Sequence, residues 1–595
     1  MNNKVTLLNY MAIFFTILFS VLQISFKVDI SIIAFLLSVI YTGAVLFVSL
    51  VLVKKQSSLS GLRAMSKLYE YAPFVYLISF VLRRAGDGDT SYAYDVICVL
   101  LWLIILVLVI FIRYQLHEKR VFDLNPVFAE KYAHISHVKK PMVLRVIKEI
   151  ISWVDALVWA VFAVALVNIF VFQLYEIPSE SMVPEFLIKD RVAVIKLADA
   201  PKFPLTDIGI PRIRDYKRGD IVVFSNPHYT QDRKSQLQKL TSQLVYMFTI
   251  MQVNLNVDEY GQQKADPLVK RVCGVSGEQL VMVDGILYGR TKETNAFKRI
   301  GEDQKWAEWN LAGLPAATRE KVVSIRMSHD EYSLMLDIEQ TRRDLDIDLL
   351  AKDCVDLVQK FAHAKKRITG SADTSLLSGS VKNIHAPELF SGSDLYIYNF
   401  FNSFDSITRK LLSVEGGESW FAAFMTDWIF NTDKTESRDY YTEAMFRMNL
   451  MAKRIFGRLA VEYAEATANN VGFFNNRTLQ TELENAQNIV WYIVSFNDLR
   501  NMPLFPTNTA GGDPQYIPNK SYFLMGDNRF NSLDMRHSYK YTMRAISDID
   551  YYSLRYNSNM EPQYVDDSLI LGTTSLRIFP FTRFGVPGLT AEKSN

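Results

Sequence analysis

Four stretches of this chain are too long and too apolar to be ordinary surface elements: Val5 to Phe26, Ile30 to Val53, Val96 to Ile112 and Ala156 to Leu174, none with an internal charge. A helix crossing a hydrocarbon core about 30 Å thick needs about 20 apolar residues, so each is a candidate membrane span. A fifth run, Tyr71 to Leu82, is shorter and contains Pro73; alone it fits a buried helix or a re-entrant segment as well as a span. The first run lacks a small-residue cleavage site and leads directly into the second, which makes it an anchor rather than a removable leader.

Lys and Arg in short loops stay on the cytoplasmic side. The segment from Lys54 to Glu70 holds Lys54, Lys55, Arg63 and Lys67, and the one from Arg113 to Glu149 holds Lys119, Arg120, Lys131, Lys139, Lys140, Arg145 and Lys148. Both read as inside, so an even number of crossings separates them and the short run must span with its neighbour. Five spans follow, and the last delivers everything after Tyr175 to the outer side. Arg83 and Arg84 then fall outside, against the charge rule.

The full 595 residues exceed one core and allow about three to four domains. Lys plus Arg at 65 nearly cancel Asp plus Glu at 63, leaving a net charge of +2, which gives no electrostatic footprint for nucleic acid. Cys98, Cys273 and Cys354 share no paired spacing, so neither a disulfide framework nor a zinc site is supported. The sequence calls for no metal and no cofactor.

Directly after the last apolar run stands YEIPSESMVPEFLIKDRVAVIKL, from Tyr175. Ser and Pro of this kind ordinarily mark only a turn, but one placed at the membrane exit would reach substrates held in the membrane. Downstream, PLVKRVCGVSGEQLVMVDGILYG from Pro267 to Gly289 reads as successive strands of a hairpin, with turns at Ser276-Gly277 and Asp284-Gly285. With a period of two, Leu268, Lys270 and Val272 share one face, and Val269, Arg271 and Cys273 the other. Lys270 thus has apolar neighbours. Burial disfavours an ammonium, and a neutral lysine amine can take a proton from a serine hydroxyl. A lone strand lysine more often snorkels to solvent.

In order, IPSESMVP from Ile177, RGDIVVFSNP from Arg218, LVKRVCGVSGE from Leu268 and YFLMGDNRFNSLDMR from Tyr522 resemble bacterial type I signal peptidase, the leader peptidase, a Ser-Lys dyad serine endopeptidase. The resemblance implies cleavage of signal peptides from exported preproteins after small residues. It makes Ser181 the nucleophile, Lys270 the general base, and Ser179 with the Ser181 N–H the oxyanion donors. Ser532 matches a serine that orients the lysine amine, Asp534 and Arg536 a supporting ion pair, and Gly526, Asp527 and Asn528 a tight turn near the site. The walls of the substrate pockets fall on Ile177, Pro178, Met182, Phe186, Leu268 and Val269. It further implies a multi-pass protein of the bacterial inner membrane with its catalytic domain on the periplasmic face, with preprotein signal peptides, membrane lipid and the secretion machinery as partners.

The pattern is followed with departures. Glu180 separates the two serines where many members carry Gly, Phe530 stands where Asp is usual, and His537 and Ser538 follow Arg536. LILGTTSLRIFPFTRFG, ending at Gly585, resembles the family's closing strand. The resemblance does not extend to the first four spans or to the middle of the chain.

Between Arg290 and Asn519 the period becomes helical. Leu350, Cys354, Leu357, Val358 and Phe361 form one stripe; Met448, Met451, Ala452, Ile455, Phe456 and Leu459 a second; Leu479, Leu483, Ala486, Val490 and Val494 a third. These read as core-facing stripes of an α-helical domain, with a cap or docking surface as the functional alternative. LVYMFTIMQVNL, Leu244 to Leu255, fits either a segment dipping into the outer leaflet or a strand pair. The expected architecture is multi-domain: an N-terminal α-helical transmembrane bundle (1–150), a span (151–174), a mainly-β catalytic core (175–289 and 520–595) and a large α-helical insertion (290–519). A polytopic receptor or inactive relative that uses its outer domain for binding stays open, as does a Ser-His hydrolase built on His228 or His537.

Overall fold

The computed structural model describes residues 3–588 apart from 25–29, 55–58, 87–90, 125–129, 131–140, 197–200, 207, 210–213, 231, 250–251, 254, 258–260, 262–263, 383, 432–437 and 473–476. Lys55, Lys131, Lys139 and Lys140, used above to orient the chain, lie outside the described residues.

The N-terminal helices are α1 (Asn3–Leu22), α2 (Ile30–Lys54), α3 (Leu59–Gly86), α4 (Tyr92–Leu116) and α5 (Met142–Phe170). Of these, α1, α2, α4 and α5 are long and apolar enough to cross a membrane. The last differs from expectation at both ends: α5 begins well before Ala156, and the final residues of the predicted span, including Leu174, belong to a strand. The short run Tyr71 to Leu82 lies inside α3, a helix of 28 residues with Pro73 in its interior.

Packing explains why α3 is less apolar than its neighbours. Tyr69, Ala72, Tyr76 and Phe80 are buried in the bundle, where Tyr76 Oη bonds Thr42 Oγ1 at 2.8 Å and Ser79 Oγ donates to Ala34 O at 2.7 Å. A helix enclosed by others need not present apolar side chains all round. In its first half Lys67 pairs with Asp155 of α5 at 2.5 Å; at its end Arg84 donates to the Leu205 carbonyl, beyond α5, at 3.1 Å. By 1.5 Å rise per residue those two contacts lie about 26 Å apart along α3. Arg83 and Arg84 both pair with buried Asp95, at 2.9 and 3.2 Å. Local pairing, rather than the side of the membrane, accounts for these two arginines.

Beyond α5 the strands are β1 (Phe172–Glu176), β2 (Arg191–Ile195), β3 (Ile221–Phe224), β4 (Leu268–Gly274), β5 (Glu278–Val283), β6 (Ile286–Thr291), β7 (Lys298–Arg299), β8 (Met502–Phe505), β9 (Ser521–Met525), β10 (His537–Ala545), β11 (Arg555–Met560), β12 (Val565–Asp566) and β13 (Ile570–Phe579). They form an antiparallel seven-stranded sheet in the order β1-β2-β13-β3-β4-β9-β12, a four-stranded sheet β7-β6-β5-β8 and the pair β10-β11. The closing segment 570–579 therefore lies in the middle of the large sheet. β5 and β6 are a hairpin, closed by Asp284 at φ 54° and Gly285 at φ 72°, the left-handed pair such two-residue turns require. β4 and β5 do not pair with each other. The chain changes sheet at Ser276-Gly277 because β4 is already flanked by β3 and β9.

Between β7 and β8 the chain is helical, with α7 (His329–Arg343), α8 (Ile347–Thr369), α9 (Phe404–Ser413), α10 (Gly417–Asn431), α11 (Tyr440–Ala468) and α12 (Arg477–Ser495) the longer elements there. Local signals agree with the boundaries: Ser328 and Glu331 form a capping box on α7, and Gly370, at φ 77°, ends α8. The stripes on α8 and α11 face the core, with Ile455 only partly buried; on α12 Leu479 and Ala486 are buried, whereas Val494, in the last turn, is 43% exposed. The helical core also takes in Phe530, Tyr556 of β11 and, from the connection between β10 and β11, Ile546 and Leu554, residues the sequence assigned to the β core. Helix α6 (Arg233–Phe248) covers the first part of the Leu244 to Leu255 stretch; residues 250, 251 and 254 of that stretch lie outside the described residues.

Candidate active site

Ser181 lies in the compact turn between β1 and β2, closed by Ile177 N–H donating to Asp190 O at 2.8 Å and Lys189 N–H to Ile177 O at 2.9 Å. Lys270 is the third residue of β4, opposite Val222 of β3. Its Nζ donates to Ser181 Oγ at 2.6 Å, and both side chains are buried. Burial is the largest influence on the amine and pushes it from 10.5 down to about 8; Asp534 and Asp527 pull it upward, and Arg536 adds to the push downward. The lysine is therefore a buried strand residue, not one that snorkels. Ser179 Oγ donates toward Ser181 Oγ at 3.4 Å.

The turn after β9 backs the serine turn. Asn528 N–H donates to Ser181 O at 3.1 Å and Asn528 Nδ2 to Glu180 O at 3.0 Å. Gly526 sits so close that a Cβ there would lie 2.4 Å from Ser181 O and 2.2 Å from Ser532 Oγ, which only glycine tolerates. Asp527 receives Arg271, the residue after the lysine, at 2.8 and 2.6 Å. Asp534 accepts from Arg536 at 2.8 and 3.0 Å and from Gly526 N–H at 2.9 Å. Burial works against the Asp534 carboxylate, but the Arg536 guanidinium prevails and holds its carboxyl well below the usual range. Ser532 is buried beside this turn, yet its hydroxyl has no hydrogen-bond partner among the described residues; the bond to the lysine amine that the resemblance implies is not made here.

Of the pocket walls, Ile177, Met182, Phe186 and Val269 pack in one cluster with Val192 and Ile221. Leu268 packs against the neighbouring β core and Pro178 is exposed. Neither histidine touches Ser181. His228 contacts Gln563 and the Tyr539 ring, and burial with the adjacent Arg536 pushes His537 down to about 3, too weak a base for neutral pH.

The stretch that opens the helical segment crosses this site, which nothing in the sequence announced. Asp303 forms a fully buried pair with Arg529 at 2.5 and 3.1 Å. Trp306 lies over the Arg271 guanidinium at 4.9 Å. Glu308 exchanges main-chain bonds with Asp527 and Arg529, and Leu311 and Leu314 pack on Val183 and Leu187. Phe530, the departure from the usual Asp, stacks edge-on against Trp309 and Phe496 at 5.0 and 5.5 Å. Glu180, the departure between the serines, is buried with its carboxylate accepting from the N–H groups of Val323 and Ser324, the latter at 3.0 Å.

Residues 150–340 match the family model of signal peptidase, peptidase S26. This segment, about a third of the chain, is similar to signal peptidases. Sixty-six residues, 11% of the chain, are 39% identical to signal peptidase I of Buchnera aphidicola subsp. Schizaphis graminum, and the match spans 21% of that protein. No solved structure matches. The matched range contains most of α5 together with Ser181 and Lys270 but stops short of Gly526 to Arg536, which the fold brings against the serine turn.

Proposed function

We propose that this chain is a membrane-bound serine endopeptidase that removes N-terminal signal peptides from exported preproteins, with Ser181 as nucleophile and neutral Lys270 as general base. The buried 2.6 Å contact between Lys270 Nζ and Ser181 Oγ carries the reading. With the amine brought to about 8, a useful fraction is neutral near physiological pH, and a base is most effective when its pKa lies near the working pH. Lys270 takes the Ser181 proton as Oγ attacks the scissile carbonyl. It returns the proton to the leaving amine, then draws one from the water that attacks the acyl group and passes it to Ser181 Oγ as that oxygen leaves. The Ser181 N–H, which has no acceptor among the described residues, and Ser179 Oγ stabilise the charge on the carbonyl oxygen. Ile177, Met182, Phe186 and Val269 supply apolar walls suited to small side chains.

In the same reading α3 is a fifth crossing, because it meets α5 through Lys67–Asp155 and the stacked Phe74–Phe162 rings and reaches Leu205, beyond α5, through Arg84. The catalytic domain then sits on the outer face, directly after α5. The test is cleavage of a preprotein by the full chain in detergent or liposomes. Ser181→Ala and Lys270→Ala should each abolish it while the protein stays folded. Full cleavage by either variant would rule out the dyad, and preprotein binding without any cleavage in the wild type would favour a receptor.

A further inference from the structure

Glu180 is flanked by the two serines, so any rotation of its peptide units moves both hydroxyls. Its main-chain oxygen is held by Asn528 Nδ2 and by Val183 N–H at 3.1 Å. Its side chain points away from Lys270, whose charged neighbours are Asp534, Asp527 and Arg536. Both carboxylate oxygens instead meet the main-chain N–H groups of Val323 and Ser324. Those donors are independent of side-chain identity, and the Val323 side chain is 82% exposed. The same stretch is anchored at its other end by the buried Asp303–Arg529 pair and by the Glu308 main-chain bonds to Asp527 and Arg529. The serine turn is thus gripped from one side by 526–528 and from the other by 303–325.

We propose that residues 303–325 are an intramolecular strap that holds the nucleophile turn in its reactive shape, with Glu180 as the positioning residue that receives it. The proposal rests on the reading of Ser181 as nucleophile. A buried carboxylate deprived of its N–H partners is driven toward water, and Glu180 turning outward would carry the Ser181 hydroxyl away from Lys270. The strap therefore acts on turnover rather than on the apolar walls that bind substrate, and it links the helical domain to the chemistry.

Steady-state cleavage of a preprotein by the full chain is compared for Glu180→Ala, Glu180→Gln, Val323→Ala and Ser181→Ala. Glu180→Ala should lower kcat about 10²-fold, the scale of a 1 Å misplacement, with KM within twofold and the midpoint of the pH profile unchanged. Glu180→Gln, which keeps an oxygen for one N–H, should recover at least about tenfold of that loss, and Val323→Ala should match the wild type. Unchanged kcat in Glu180→Ala, or a change confined to KM, overturns the strap. Should Glu180→Ala lose its fold by near-UV circular dichroism, Val323→Pro, which removes a donor N–H and leaves the carboxylate, takes its place with the same expected and overturning results. Full activity in Ser181→Ala would sink the nucleophile reading instead; an inactive Ser181→Ala beside a fully active Glu180→Ala sinks the strap alone.

Discussion

Replacing Lys270 with methionine, of similar reach but without the amine, should stabilise the fold while removing the chemistry. Burial lowers the ammonium from 10.5 to about 8 in the folded protein, so the unfolded chain binds that proton more tightly. Below about pH 8 the fold carries the whole difference as a penalty, about 3 kcal/mol at 1.36 kcal/mol per unit. As pH rises from 8 to 10.5 the unfolded amine also loses its proton, and the penalty fades. Methionine avoids it and forgoes one hydrogen bond to Ser181, worth about 1 kcal/mol. The variant should therefore be about 2 kcal/mol more stable at pH 7, an advantage that vanishes by about pH 10.5. Unfolding in detergent, followed by tryptophan fluorescence at both pH values, measures this. In parallel, wild-type cleavage should rise through about pH 8 and level off above it, while the variant loses at least about 10²-fold at every pH. A variant less stable than wild type at pH 7, or a wild-type rate flat between pH 6 and 9, would refute a buried lysine acting as base.

Ser179→Ala should lower kcat about 10²-fold with KM little changed, the effect of removing one oxyanion donor; an unchanged kcat would leave the hydroxyl only a neighbour of Ser181. Gly526→Ala would place a Cβ 2.4 Å from Ser181 O, so cleavage should fall at least about 10²-fold while far-UV circular dichroism still reports the helices; wild-type activity would mean that the turn yields freely. Arg529→Met strands Asp303 as a buried charge and should destabilise the protein by about 3–5 kcal/mol, with Asp303→Leu in the same chain restoring most of it; a neutral single variant would show that the pair is dispensable.

The pairing of Ser181 with Lys270 was expected because the two residues sit in local patterns, a turn after an apolar run and a lysine on an alternating strand, and because four segments in order resembled one family; the 2.6 Å contact brings them together. The fold added what spacing cannot carry. Lys270 and Ser181 are 89 residues apart, and only the β3-β4-β9 arrangement turns Asp534 and Arg536 toward the lysine. The helical stripes were readable on α8 and α11 because each repeats over several turns. Val494 departs from its stripe in the last turn of α12, where it is 43% exposed. α3 was ambiguous because burial within a bundle lets a helix keep polar residues that lipid would exclude.

Two of the departures from the family pattern, Glu180 and Phe530, are points where the helical segment joins the site. Phe530 gives up a carboxylate and gains Trp309 and Phe496 as ring partners. Glu180 gives up the small residue usual between the serines and gains two main-chain donors from the 303–325 stretch. Neither gain is visible in a one-dimensional pattern, because the partner is a backbone N–H in one case and a distant aromatic in the other. The joint continues into the helical core, which buries Tyr556 of β11 and, from the β10-β11 connection, Ile546 and Leu554. A segment that shares its core with the strands after the last motif, and fills both departures within the motifs, is part of the structure that sets the active site.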